Sequence, residues 1–264
     1  MNIGFIGLGN MARAIIGGIL GKGLVSEGGI TGYDSLASAR NMAAEKYGIA
    51  LAADNNDVVS RSDVVVLAVK PQVIESVINE IKDEASEDTL FISIAPGKSI
   101  SWLEETFGRK VKIVRCMPNT PALVGEGMTG FCVNDAVSEE DRETAKDILE
   151  SFGRAEEVSE HLMAAVTSVS GSSPAYVFIL IEAMADQAVA DGMSRSQAYE
   201  FAAQAVLGSA RMVLETGTHP AALKDMVCSP GGTTIEAVKV LEEAGFRAAI
   251  EEAMEACTQK ALNM

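Results

Sequence analysis

Short apolar runs alternate with stretches of helical spacing over the first 150 or so residues. Asn2–Ile6, Ile30–Asp34, Asp63–Val69, Thr89–Ala95 and Val111–Cys116 read as strands, most of them apolar enough to be buried on both faces. Met11–Lys22, Ala37–Tyr47 and Val73–Glu84 carry the spacing of amphipathic helices between them. Alternation of this kind predicts a parallel, doubly wound sheet. A further strand, Met128–Val133, precedes a helix opened by Ser138 with Asp141 three residues on.

Beyond Val158 the strand pattern disappears. Pro174–Asp191, Gln197–Thr216, Ile235–Ala244 and Phe246 to the end read as helices, and Ser194 with Gln197 forms a capping-box signature after the helix stop at Gly192. These helices are rich in Ala, Met and Val and apolar on more than one face, which requires burial. Roughly 100 residues cannot enclose several such helices alone. The expectation is therefore an α/β domain over residues 1–158 and an all-α domain over 159–264 that dimerises, with no repeats, low-complexity tracts or flexible linker.

The chain has 264 residues, 48% hydrophobic and 22% charged, an ordinary globular balance. A formal charge of −16 argues against a nucleic-acid or anionic-membrane surface, since either needs clustered Lys and Arg. Strand-like sequence from Asn2 leaves no room for a signal peptide. The most apolar helical stretch, Ala175–Ile181, stops at Glu182 and reads as a core helix rather than a membrane span. Four scattered cysteines without a CxxC pair, and only two histidines, predict reduced thiols, no metal site and a cytoplasmic location.

Two segments carry candidate chemistry. Gly4-Phe-Ile6-Gly7-Leu8-Gly9-Asn10-Met11-Ala12 places G-x-G-x-x-A between a strand and a helix, the fingerprint of a Rossmann-type dinucleotide site. Gly7 would make the tight turn, Gly9 would admit the pyrophosphate, and Ala12 would let helix and strand pack closely. The alternative is a glycine-rich turn in another doubly wound fold. Asp34, at the end of the second strand, favours NADH by binding ribose hydroxyls and repelling a 2′-phosphate, whereas Ser35 and Arg40 offer a phosphate some compensation. Val69-Lys70-Pro71 and Ala95-Pro96-Gly97 end two further strands at the same edge, where Lys70 either touches the cofactor or is simply solvated. Met117-Pro-Asn119-Thr-Pro121 fixes a rigid loop in which Asn119 either positions the nicotinamide amide or a water, or serves only the turn.

The second segment is Ser229-Pro-Gly231-Gly232-Thr233-Thr234, running into Ile235–Leu241. Thr233 and Glu236 have capping-box spacing, so a helix starts there. Two glycines before a helix N-terminus let a carboxylate or phosphate approach free N–H groups and the positive end of the dipole.

With these blocks in hand, the chain resembles pyrroline-5-carboxylate reductase nearly end to end. The resemblance rests on Gly7–Ala12, Ala68-Val69-Lys70-Pro71, Arg115–Pro121, Ser170–Tyr176 and, most specifically, Leu223–Glu236. It implies reduction of 1-pyrroline-5-carboxylate to L-proline with NADPH or NADH, and a dimer with intertwined C-terminal helices, often assembled as five dimers. It also implies that each active site lies between one nucleotide domain and helices partly donated by the partner. By the same resemblance, Ser229, Gly232, Thr233 and Thr234 bind the substrate carboxylate, and the Thr234 hydroxyl meets the ring nitrogen. Asn56 contacts the adenosine ribose or its phosphate, and Ala68–Pro71, Ala95 and Gly97 line the cofactor. Many members carry Ser, Thr or Asn-Arg where this chain has Tyr33-Asp34-Ser35, which leaves the coenzyme open.

Imine reduction of this kind needs placement more than acid–base groups. That suits a chain whose histidines, His161 and His219, fall outside the matched loops. Glu182 and Asp186, one turn apart, read as solvated or salt-bridged across the dimer. Two rivals stand beside this reading. A β-hydroxyacid-type dehydrogenase would rely on a lysine near the start of a second-domain helix, absent from Ser170–Tyr176. A non-catalytic dinucleotide sensor would have no need for the second, carboxylate-shaped site.

Overall fold

The computed structural model describes all 264 residues. Eight strands form one sheet: β1 (Ile3–Ile6), β2 (Ile30–Tyr33), β3 (Ala50–Leu51), β4 (Val64–Leu67), β5 (Leu90–Ser93), β6 (Lys112–Met117), β7 (Gly127–Val133) and β8 (Gly153–Glu157). Their order is β3-β2-β1-β4-β5-β6-β7-β8. The first six are parallel, with Ile3 opposite both Ile30 and Val64. β7 runs antiparallel to β6, and β8 parallel to β7, so the doubly wound core ends in a reversed margin.

The connecting helices are α1 (Asn10–Lys22), α2 (Ala37–Tyr47), α3 (Asn55–Ser60), α4 (Ile74–Ile81), α5 (Ile100–Phe107) and α6 (Glu139–Leu149). Successive strand residues point to opposite faces, and both faces are apolar. Ile3, Phe5, Val64, Val66 and Ile92 join a core with α1 and α6. Ile6, Val65, Leu67, Phe91 and Ile113 join a second core with α4 and α5. Each such side chain, fully buried, contributes roughly 1.5–3 kcal/mol. Ser138 and Asp141 complete a capping box at α6, as their spacing predicts.

The remaining helices are α7 (Met163–Val166), α8 (Ser173–Ala190), α9 (Arg195–Thr216), α10 (Pro220–Val227), α11 (Thr233–Glu243) and α12 (Phe246–Leu262), with a π-turn at Thr167–Gly171. The chain separates into a unit of Met1–Ser172 with Cys257–Met264, and a second of Ser173–Ala256. Residues 159–172 therefore cluster with the sheet, whereas the loss of strand pattern after Val158 grouped them with the later helices. Met163 is buried in the α4–α5 core, and Val166 lies against Gly130, where any Cβ would meet its methyl at 2.7 Å. In the second unit α8 packs on α9 through small residues, with Ala185, Ala198 and Ala202 buried. The helical run 160–190 is long and apolar enough to cross a membrane, its most apolar 18 residues having a mean hydropathy of 1.5. Its exposed face includes Phe178, Ile179 and Met184, so within one chain α8 does not have the burial of a core helix.

Candidate functional site

The first half lies where the parallel strands end. Gly7 donates to the Tyr33 carbonyl at 2.8 Å and holds φ +93. A Cβ there would meet the Ala68 carbonyl at 2.6 Å, so β1 turns against β4 only because residue 7 is glycine. Gly9 is the N-cap of α1, without a side-chain cap and without an acid in the first turn. A Cβ at Gly9 would meet nothing within 4 Å. Open space thus faces uncapped helix N–H groups, which fits a pyrophosphate. Ala12 is buried under the sheet, as its place in the fingerprint requires. Ile6 and Leu8 send their side chains into the cores and offer only backbone to a ligand, while Asn10 is exposed and Met11 half-buried.

Asp34 is engaged with its own backbone. Its two carboxylate oxygens accept N–H bonds from Leu8 at 2.8 Å and Leu36 at 2.9 Å. The acid therefore ties the end of β2 to the glycine turn, and each oxygen keeps further lone pairs for a ribose. Arg40 donates to the carbonyls of Asp34 and Ser35 and lies 5.4 Å from the centre of the Tyr33 ring. A fixed acid and a fixed cation thus flank exposed Ser35. Asn56 is half-buried in the first turn of α3, which Asp54 caps by accepting from Asp57 N–H at 2.8 Å. Ala68 and Val69 are half-buried, Lys70 is exposed, and Pro71 follows in a turn closed by Val73 N–H to the Lys70 carbonyl at 2.9 Å. Ala95 is buried, whereas Gly97 is exposed with φ +75 and packs against Met264.

Asn119 is 8% exposed and bonded at both ends of its carboxamide. Its Oδ1 accepts the Met128 N–H and its Nδ2 donates to the Ser170 carbonyl, each at 2.9 Å. Sequence reasoning did not single out the Arg115–Glu160 pair. Glu160 Oε1 accepts both the Arg115 guanidinium and the Ile100 N–H at 2.7 Å, joining β6 to the start of α5. The Arg-Cys-Met-Pro-Asn-Thr-Pro block was the available signal for Arg115; nothing in the sequence marks Glu160 as its partner. Burial pushes the Cys116 thiol far up and Cys132 up to about 11, so neither is a thiolate near neutrality. A cavity of about 1130 Å³, lined by Glu104, Arg109, Asn134 and Glu157, opens at the far end of β6 and contains none of the expected site residues.

The second half is the turn before α11. The capping box expected at Thr233 and Glu236 does not form: Gly232 is the N-cap, Thr233 is the first helical residue, and Glu236 pairs with Lys239 at 3.2 Å. Glycine at the cap leaves the helix without a side-chain acceptor, so its first N–H groups face outward. Gly231 sits at φ +67, and Gly232 N–H closes on the Ser229 carbonyl at 3.0 Å. A Cβ on Gly232 would meet Ser229 Oγ at 2.4 Å, so that glycine seals the turn onto Ser229. Ser229 and Thr233 are exposed, and Thr234 is half-buried. Ser194 Oγ bonds the Gln197 side chain at 2.6 Å but caps no N–H of α9. His219 is the N-cap of α10 and His161 is exposed, both outside the matched loops. Asp186 pairs with Arg195 within its own unit.

Comparison with known proteins places the chain in one family. Residues 160–264 match the family described as pyrroline-5-carboxylate reductase dimerisation, and residues 2–97 match NADP oxidoreductase, coenzyme F420-dependent. The chain is 52% identical over 258 residues to pyrroline-5-carboxylate reductase of Escherichia coli, covering 98% of this chain and 96% of the relative. It is 45% identical over 252 residues to that of Methanosarcina acetivorans, covering 96% and 93%. The structure of the Plasmodium falciparum pyrroline carboxylate reductase with NADP bound superposes with a TM-score of 0.91 at 35% identity, covering 100% of this chain and 97% of that one. The chain belongs to the pyrroline-5-carboxylate reductase family.

Proposed function

We propose that this protein reduces 1-pyrroline-5-carboxylate to L-proline with NAD(P)H, the reaction for which its relatives are named. The observation that carries the reading is the uncapped start of α11: Gly231 and Gly232 expose helix N–H groups beside the Ser229 and Thr234 hydroxyls. Several backbone N–H bonds and the dipole hold a carboxylate there without an arginine, contributing a few kcal/mol.

The chemistry that reduced nicotinamide would supply when bound is a hydride for C5 of the ring. Residues of the glycine turn, Asn56, Ala68–Pro71, Ala95 and Gly97 hold the dinucleotide at the strand ends. The Ser229–Thr234 turn fixes the acid group of the substrate, and the Thr234 hydroxyl orients the ring nitrogen, which gains a proton as it becomes an amine. Thr234 is too weak an acid to protonate that nitrogen unaided, so its part is alignment. Asp34 supports NADH, and Arg40 with Ser35 supports NADPH. Asp34→Ser shifts the ratio of catalytic efficiencies toward NADPH; an unchanged ratio removes Asp34 from discrimination.

The working unit is a homodimer with intertwined C-terminal helices, in which one subunit's nucleotide half meets helices partly donated by its partner, and five dimers form a ring. The matched dimerisation family and the bare apolar faces of α8 and α9 support the dimer. A cytoplasmic location fits four free cysteines. Oxidation of NADH or NADPH on addition of pyrroline-5-carboxylate tests the activity. A crystal with bound proline tests the site, and a carboxylate away from Ser229–Thr234 overturns it.

A further inference from the structure

We infer that Asn119 is a positioning residue, whose carboxamide clamps the π-turn Thr167–Gly171 onto the ligand-binding edge of the sheet. The inference rests on the reductase reading above. Three observations converge on that turn. A π-turn leaves carbonyls without their usual helical partners, and such turns concentrate at functional sites. Here the Ser172 N–H reaches the Thr167 carbonyl at 2.8 Å, and the Ser170 carbonyl is taken by Asn119 Nδ2 at 2.9 Å. Gly171 approaches the end of β6 so closely that a Cβ would meet the Met117 methyl at 3.0 Å. The other end of the same carboxamide accepts the Met128 N–H at the start of β7.

One side chain therefore joins the loop after β6, the start of β7 and the π-turn. Ligands of doubly wound folds lie outside the carboxyl ends of the strands, so the clamp shapes one wall of that crevice. With its amide bonded to protein at both ends and 8% exposed, Asn119 acts through the loop it holds rather than by reading the nicotinamide. No carboxylate, Lys, Arg or His lies on Gly127–Val133 or Met163–Gly171. Of the neighbouring charges, Arg115 on β6 is paired with Glu160, Glu126 precedes β7, and Arg13 lies on α1, which packs against the turn after Asn119.

Asn119→Asp tests the clamp because it keeps the shape. Its ionised carboxyl would set an acceptor against the Ser170 carbonyl, whereas the protonated form donates there and restores the bond. The expected result is about a tenfold loss of kcat at alkaline pH. The ratio of variant to wild-type kcat then recovers as pH falls from about 9 to about 5. The equilibrium affinity for reduced dinucleotide, measured by nicotinamide fluorescence without substrate, stays within about twofold of wild type, a change no larger than half a hydrogen bond. A ratio flat in pH, or dinucleotide affinity lost in step with kcat, overturns the inference. Asn119→Ser gives a second reading if the Asp variant does not fold. Its hydroxyl is too short for the clamp, so kcat falls at unchanged dinucleotide affinity with no recovery at low pH, and wild-type turnover in this variant also overturns the proposal. An inactive wild type would instead refute the reductase reading itself.

Discussion

The two units solve the burial problem differently. In the sheet unit, strands apolar on both faces are covered by helices from the same chain, and Phe5, Phe91, Phe131 and Phe152 are all fully buried. In the helical unit only alanines are buried, while Phe178 is 60% exposed and Ile179 and Phe201 are each 66% exposed. Large exposed apolar faces on folded helices mark an interface, and the matched family is a dimerisation family. The sheet unit carries its own core, whereas the helical unit leaves its large apolar side chains uncovered within one chain.

The sharpest way to break this contrast is a charge on the bare face. Ile179→Glu should convert the dimer to monomer, seen by light scattering, and abolish turnover, while the sheet unit still binds dinucleotide. A monomer with full turnover would refute the dimer as the working unit. Next in size is Gly232→Val. Its Cβ would strike Ser229 Oγ, so the turn opens and affinity for proline falls by about 10²-fold or more; unaltered proline binding by calorimetry would misplace the anion site. Thr234→Ala should lower kcat about tenfold, the scale of one aligned hydrogen bond, with dinucleotide affinity nearly intact. Unchanged turnover removes Thr234 from alignment.

The smallest effect belongs to the self-sufficient unit. Burial pushes the Asp141 carboxyl up, but bonds from Ser138 and Lys112 outweigh it and hold the pKa below the usual carboxylate value. Its stabilisation is therefore present above the unfolded value and is lost as pH falls through the lowered one. Ser138→Ala should cost about 1 kcal/mol, lower the melting temperature near neutrality and leave kcat untouched. An equal loss at neutral and strongly acid pH would remove the pH-linked part of that stabilisation.

The parallel strands, α1, α2, α6 and the glycine turn were legible because their signals are local: apolar runs, the G-x-G-x-x-A turn, the Gly48 stop after α2 and the Ser138 cap of α6. The bounds of α2 match the sequence reading to the residue. What escaped it was short, polar or conditional. Two-residue β3 and charged β8, Gly-Arg-Ala-Glu-Glu, lie at sheet margins where no alternation is required. Two short helices were masked by their settings: α5, capped by Ser99, follows a Pro-Gly turn, and α3 begins in Asp-Asn-Asn-Asp. The Thr233–Glu236 spacing suggested a cap that Gly232 holds instead, one residue earlier and without a side-chain acceptor. The Asn119 clamp joins residues 51 apart in sequence, and no local pattern reports such a pairing.

The return of Cys257–Met264 to the sheet unit has a consequence for synthesis. Thr258 Oγ1 meets Ser168 Oγ at 2.9 Å, and Met264 covers Gly97. Domains fold as units while the chain emerges, N-terminal part first. The nascent sheet can assemble early, yet the loop at Gly97 stays uncovered until all of Ser173–Ala256 has left the ribosome.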